Sequence, residues 1–348
     1  MKFVSFRRFG GGSETRAGVL LPLGIIDLRA AAPLVYEDSE DRDWSLLGLL
    51  NGESEGFGLD AAAEIAAAVI DQLGDEVDAL EWDDPDALNG TLSMGGESVI
   101  YTADSVRLLA PIPRPPSVRD FYAFEQHVKT ARALRGLEML PQWYQVPAFY
   151  FSNPNCVLND GDEVCAPHGS EALDYELELA CVIGTSARDL PDDDRALECV
   201  AGFTIMNDWS ARDLQRAEMA IGLGPSKSKD FATSLGPTLM TFDELKSHYR
   251  DGRLQLEMTA RVNGRELSRG NAGTMYWTWP QILAHASRDT ELQLGDVLGS
   301  GTVGTGCILE LTPEKAGGWL KPGDVVELEI ERLGILRNRV VERSSLRR

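Results

Sequence analysis

The segment Leu173-Asp174-Tyr175-Glu176-Leu177-Glu178-Leu179 alternates acidic and apolar residues with a period of two. A strand built from it turns its three acids to one face and its apolar residues to the other. Neighbouring acids on that face stand about 7 Å apart at Cα, close enough for two glutamates to converge on one cation. Taken alone, the pattern also suits the solvated face of an edge strand. A second segment, Phe203 to Gln215, reads as an apolar strand passing through a polar turn, Asn207-Asp208-Trp209-Ser210, into a helix. Asp208 then stands at a strand end. Arg212 and Gln215, three apart, share a helix face on which a cationic fork and an amide could meet one ligand. N-capping by Asp208 or Ser210, with Arg212 in a surface ion pair, accounts for the same residues equally well. His127 follows Asp120 by seven residues in Asp120-Phe121-Tyr122-Ala123-Phe124-Glu125-Gln126-His127, whereas His168, His248 and His285 have no comparable company and read as structural or surface residues.

Two glycine-rich stretches imitate nucleotide sites. Gly299-Ser300-Gly301-Thr302-Val303-Gly304 has the G-x-G-x-x-G spacing, but the following Gly306-Cys307-Ile308-Leu309-Glu310-Leu311 reads as a strand where a dinucleotide site needs a helix. Gly222 to Lys229 lacks the G-K-[ST] ending of a P-loop and reads as a flexible loop carrying Lys227 and Lys229.

The elements that would position these residues follow from the rest of the chain. Lys2–Phe6, Gly18–Leu21 and Gly24–Leu28 read as an antiparallel meander, and Leu59–Leu80 as a packing helix ended by the acidic run Glu81–Asp86 with Pro85. Pro111, Pro113, Pro115 and Pro116 suit neither a helix nor a central strand and mark a division between an N-terminal domain, 1–109, and a larger one, 117–348. The larger part carries short apolar segments (Ala148–Phe151, Tyr175–Ile183, Val200–Met206, Leu254–Val262, Val325–Ile330) and few long helical patterns. The expected class is α+β and β-rich, a sandwich or roll with a smaller N-terminal domain.

Composition narrows the function. The 348 residues are 43% hydrophobic and 25% charged, which excludes a disordered or collagen-like chain. Thirty-three basic against 55 acidic residues give a net charge of −22, which argues against nucleic acid and anionic membrane as partners. The five cysteines, odd in number and without a C-x-x-C pair, read as reduced thiols. With no signal-peptide pattern and no long apolar run, a cytoplasmic location is expected.

Asp120-Phe121-Tyr122 with Gln126-His127, Asp174-Tyr175-Glu176-Leu177-Glu178, Met206-Asn207-Asp208-Trp209-Ser210-Ala211-Arg212-Asp213, Lys229 and Ser300-Gly301-Thr302 together resemble the fumarylacetoacetate hydrolase family in order and approximate spacing, over most of residues 117–312. The resemblance implies a mixed β-sandwich roll in which Asp120, Glu176, Glu178 and Asp208 bind one divalent cation. An all-oxygen set suits Mg²⁺, Mn²⁺ or Ca²⁺ rather than zinc. It further implies His127 as general base, Arg212, Gln215 and Lys229 around the reacting oxygens, Tyr122 and Tyr150 on the substrate, and Thr302 on a substrate carboxylate. The expected activity is metal-dependent hydrolysis of a C–C bond in an acylpyruvate or fumarylacetoacetate-like β-diketo acid, by a homodimer. A 2-oxo acid decarboxylase, hydratase or isomerase, and a catalytically idle binding protein, are the alternatives. In one respect the chain departs from the family: no acid lies between Thr302 and Glu310, and Thr130 stands where acylpyruvases carry a glutamate three residues after the histidine. His127 is thus expected to lack its usual acidic partner, with Glu138 as a substitute.

Overall fold

In the computed structural model, all residues are described except 11, 23, 40, 53–57, 75–91 and 346–348. A long mixed sheet runs, strand by strand, through Ile100–Tyr101, Gly24–Asp27, Arg16–Leu21, Lys2–Arg8, Thr238–Thr241, Val200–Asp208, Leu177–Ile183, Val297–Gly299, Val118–Phe121 and Phe149–Ser152. Its central member, Leu177–Ile183, is buried along its whole length. Leu177, Leu179, Cys181 and Ile183 enter one hydrophobic core, and Ala180 and Val182 enter the other. That two-sided burial is why the segment reads as a nearly continuous apolar run after Glu178.

The first core lies between this sheet and a second one ordered Glu163–Val164, Gly334–Val340, Val325–Ile330, Glu257–Val262 and Arg265–Asn271, whose Met258, Ala260, Val326, Leu328 and Leu336 face Leu179 and Phe203. The second core lies under the helix Leu59–Leu73, which applies Ala61, Ala62, Ile65, Ala66 and Val69 to the opposite face of the long sheet. The arrangement is the expected β-rich sandwich with helices on its outside.

The meander forms, with Phe3↔Val19 and Val19↔Ile26 in register. Its first strand also pairs with Thr238–Thr241, Lys2 opposite Met240, so the sheet continues across the proline-rich segment rather than stopping at it. The helix ends at Leu73, and the remainder of the expected helix together with the acidic run Glu81–Asp86 lies outside the described residues. Leu254–Val262 is interrupted, forming Arg253–Leu254 and Glu257–Val262.

One expectation is overturned in a way that matters for the site. Gly306–Leu311 is not a strand: Ile308–Leu311 is a single helical turn. The carboxylate of Asp174 accepts the otherwise unpartnered N–H groups of Ile308 (2.8 Å) and Leu309 (3.0 Å), supplying the helix start with the acceptor it needs. Two adjacent apolar residues, Ile308 and Leu309, already broke the alternation a half-buried strand requires. No helix among the described residues is long and apolar enough to cross a membrane.

Candidate metal centre and active site

Four neighbouring strands of the long sheet end on one side with an acid or a glycine turn. Asp208 closes Val200–Asp208, Glu178 lies in Leu177–Ile183 with Glu176 just ahead of it, and Asp120 lies in Val118–Phe121. The strand between the last two, Val297–Gly299, puts Gly299 opposite Asp120 and Ala180. A Cβ on Gly299 would lie 2.7 Å from Asp120 Oδ1 and 3.0 Å from Glu178 Oε2, so the missing side chain is what lets two carboxylates two strands apart lean toward each other.

Ligand-capable atoms of Asp120, Glu176, Glu178 and Asp208 all fall within 4.8 Å of one another, and all four residues are buried. The acids predicted from the alternating segment divide. Glu176 and Glu178 meet Asp120 and Asp208, whereas Asp174 turns to Arg212, which donates to it from Nε at 2.8 Å. Arg212 also donates to Glu176 Oε1 at 2.7 Å and to Gln215 Oε1 at 3.0 Å, so each of its three nitrogens has a partner within the protein. Lys229 Nζ sits between Glu176 and Asp208. Both alternative readings fail here: neither the acids nor Arg212 face solvent.

Five buried carboxylates, counting Asp174, thus face two cations, and the imbalance shows in their protonation. Burial, reinforced by the charge of Asp208, pushes Asp120 well above the ordinary carboxylate range, and burial with the Asp120 charge does the same to Glu178. Asp208 is raised by burial although Lys229 pulls the other way. Glu176 goes down, because Arg212 and Lys229 outweigh its burial. Asp120 Oδ1 and Asp208 Oδ1 are buried without a hydrogen-bond partner. A compact set of oxygen donors with spare lone pairs and too little positive charge fits a hard divalent cation.

The remaining predicted residues surround this cluster. Tyr150, opposite Asp120 in the sheet, donates its hydroxyl to Asp208 Oδ2 at 2.6 Å. Thr302 donates to Glu178 Oε1 at 3.3 Å, and the Gly301 N–H donates to Oε2 at 3.1 Å. The helix Glu125–Ala133 carries His127, whose Nε2 lies 4.0 Å from Glu176 Oε1. Tyr122 packs edge-on to the imidazole with centroids 5.4 Å apart, and burial pushes its hydroxyl up to about 12.

His127 does have an acidic partner, contrary to expectation. Glu310 Oε2 stands 2.9 Å from Nδ1, at ion-pair distance though without full hydrogen-bond alignment, and the Glu310 side chain is 1% exposed. The single turn Ile308–Leu311 brings it there, and reading that segment as a strand hid it. Glu138 is exposed, and its segment is tied down through its carbonyl, which accepts from Arg132. Asp174, which fastens Arg212 and the start of that turn together, and Gly299 are the other contributors to which the sequence attached no role.

A buried constellation of this kind, at the strand ends of a β-sandwich, defines an enzyme acting on small molecules. The family model described as fumarylacetoacetate (FAA) hydrolase C-terminal matches residues 117–341. Among curated relatives, oxaloacetate tautomerase YisK of Bacillus subtilis is 32% identical over 248 residues, 70% of this chain and 76% of that one. Fumarylacetoacetase of Arabidopsis thaliana is 31% identical over 242 residues, 56% of this chain and 57% of that one. Among solved structures, the fumarylacetoacetate hydrolase of psychrophilic Exiguobacterium antarcticum is 28% identical with a TM-score of 0.64, covering 99% of this chain and all of that one. The chain belongs to the fumarylacetoacetate hydrolase family.

Proposed function

We propose that this chain is a divalent-metal-dependent enzyme that hydrolyses a C–C bond in a β-diketo acid of the acylpyruvate or fumarylacetoacetate class. The observation that carries the reading is the pairing of His127 with Glu310 beside the carboxylate cluster. Asp120, Glu176, Glu178 and Asp208 would hold Mg²⁺, with Mn²⁺ or Ca²⁺ as alternatives, and such an ion supplies the Lewis acidity that lowers the cost of negative charge on a carbonyl oxygen.

The chain's own groups do the rest. Glu310 orients the imidazole and balances the charge it acquires, and His127 takes a proton from water. The water oxygen bonds to the ketone carbon, and the adjoining C–C bond breaks with its electron pair passing to the departing oxo-acid carbon. His127 then returns the proton to that carbon, so that one water has been added across the bond. Tyr122, Tyr150 and Thr302 would hold the substrate. Arg212, steadied by Asp174 and Gln215, and Lys229 would keep Glu176 ionised, and Lys229 would hold Asp208 beside it.

A second reading is tautomerisation or isomerisation of a 2-oxo acid, in which His127 removes a proton from carbon and returns it elsewhere. The likeness to an oxaloacetate tautomerase over 76% of its length favours it. Acylpyruvates, fumarylpyruvate, fumarylacetoacetate and oxaloacetate incubated with Mg²⁺ or Mn²⁺, with products weighed by mass spectrometry, separate the readings. Fragments that together carry one added water mean hydrolysis, an unchanged mass with a changed ultraviolet spectrum means tautomerisation, and loss of CO₂ means decarboxylation. No turnover of any of them would favour an idle binding protein.

A further inference from the structure

Beside the four carboxylates, on the far side of His127, lies a second group of potential ligands of a different chemical kind. Donor atoms of His127, Cys307 and Glu310 all fall within 4.8 Å of one another. Cys307 Sγ is 3.7 Å from Glu310 Oε2, which is in turn 2.9 Å from His127 Nδ1. Ligands around a tetrahedral Zn²⁺, with bonds of about 2.0–2.3 Å, stand roughly 3.3–3.8 Å apart, so small side-chain rotations would satisfy one ion. Imidazole nitrogen, thiolate sulfur and carboxylate oxygen are each ordinary zinc donors.

Two further observations point to a ligand. Glu310 Oε1 is buried with no hydrogen-bond partner, its side chain 1% exposed, and His127 Nδ1, in a residue 4% exposed, meets Glu310 Oε2 at 2.9 Å without full hydrogen-bond alignment. Beside them stands the buried Cys307 thiol, which the hydrolytic scheme does not use.

We propose that His127, Cys307 and Glu310 form a second cation site, selective for a borderline-soft divalent ion such as Zn²⁺ or Cd²⁺ and distinct from the hard-oxygen site. On binding, the Cys307 thiol loses its proton to solvent and the thiolate takes the ion. The ion replaces the proton on His127 Nδ1, the nitrogen that faces Glu310, and that proton moves to Nε2, which leaves no basic nitrogen. Zinc then arrests the enzyme while Mg²⁺ remains in place. The site itself is independent of the proposed reaction, and only the arrest rests on His127 being the base.

The test titrates Cd²⁺ into the full chain held in saturating Mg²⁺ and reads the ultraviolet cadmium–thiolate charge-transfer band, which needs no substrate. One equivalent should saturate the band, and Zn²⁺ should displace it. Cys307→Ser should abolish it. His127→Gln and Glu310→Gln should each weaken Cd²⁺ at least tenfold, and these two keep the site testable should Cys307→Ser fold poorly. A variant lacking the half-buried Cys156 and Cys165, and Asp120→Asn in the other site, should each retain the band. Absence of the band in the wild type, or its survival in Cys307→Ser, overturns the site. With a substrate that is turned over, one equivalent of Zn²⁺ should cost the wild type at least tenfold in rate. A formed band with undiminished turnover would overturn the assignment of His127 as base and leave the site standing.

Discussion

Gly299→Ala isolates the geometry of the carboxylate cluster from the stability of the fold. The added methyl would lie 2.5 Å from Met206 Cε, 2.7 Å from Asp120 Oδ1 and 3.0 Å from Glu178 Oε2, where ordinary contact begins near 3.4 Å. The two carboxylate oxygens must therefore retreat by roughly 0.7 and 0.4 Å, while a metal site tolerates about 0.2 Å in its ligand distances. All three obstructing atoms are the free ends of side chains and the glycine's φ is not positive, so the backbone accepts alanine. The expected result is a 10–100-fold loss of Mn²⁺ affinity, the scale seen when supports of metal ligands are altered. The metal-free unfolding temperature should stay within a few degrees of wild type. Free Mn²⁺ measured by electron paramagnetic resonance, alongside thermal unfolding of the metal-free proteins, separates the two quantities. Binding within a factor of two or three of wild type would refute the claim that Asp120 and Glu178 converge on one ion across Gly299.

His127→Gln should lower turnover by about 10²–10⁴-fold while leaving Mn²⁺ affinity within a factor of three, whereas Glu178→Gln should weaken the metal first. Glu310→Gln should lower kcat with little change in KM or in metal affinity, and a matching change in KM alone would make Glu310 a substrate contact instead. Divalent binding should strengthen as pH rises, by up to tenfold per unit for each proton displaced, because Asp120 and Glu178 are held above the ordinary carboxylate range and must release protons to solvent when the ion binds; calorimetry in two buffers of different ionisation enthalpy counts the protons. For the same reason the metal-free folded state binds more protons than the unfolded chain between the ordinary carboxyl value, about 4, and the raised one, so its stability should fall as pH climbs through that window. Light scattering at micromolar concentration should report a dimer, twice the 38.1 kDa chain.

Those parts of the fold were legible where one physical signal decided them. Leu177–Ile183 and Val200–Asp208 announce themselves as buried strands because an apolar run with β-branched residues and no helix-length extent has few other homes. What the chain could not disclose is pairing at a distance. Nothing local to Lys2–Arg8 says that it will lie beside Thr238–Thr241, and the four prolines of 111–116, sound as local breakers, constrain only the segment that contains them.

The site divides along the same line. Glu176 and Glu178 do meet, as the alternation suggested, but the strand it predicted is broken at Tyr175–Glu176, so Glu176 lies just ahead of Leu177–Ile183 and strand geometry alone does not put it there. Glu310 was lost because a four-residue helix is too short to show periodicity, and its cause lies 134 residues away in the Asp174 carboxylate that accepts the N–H of Ile308. Asp174 is therefore more than a member of the acidic alternation. With one oxygen on Ile308 and the other shared by Leu309 and the Arg212 Nε, it locks the turn that presents Glu310 to His127 to the guanidinium that holds Glu176. The carboxylate cluster and the histidine pair are thereby built as one rigid unit through a residue that touches neither His127 nor the clustered oxygens. A short segment whose conformation is set by a partner far along the chain is invisible to any local reading, and here it carries the carboxylate that pairs with His127.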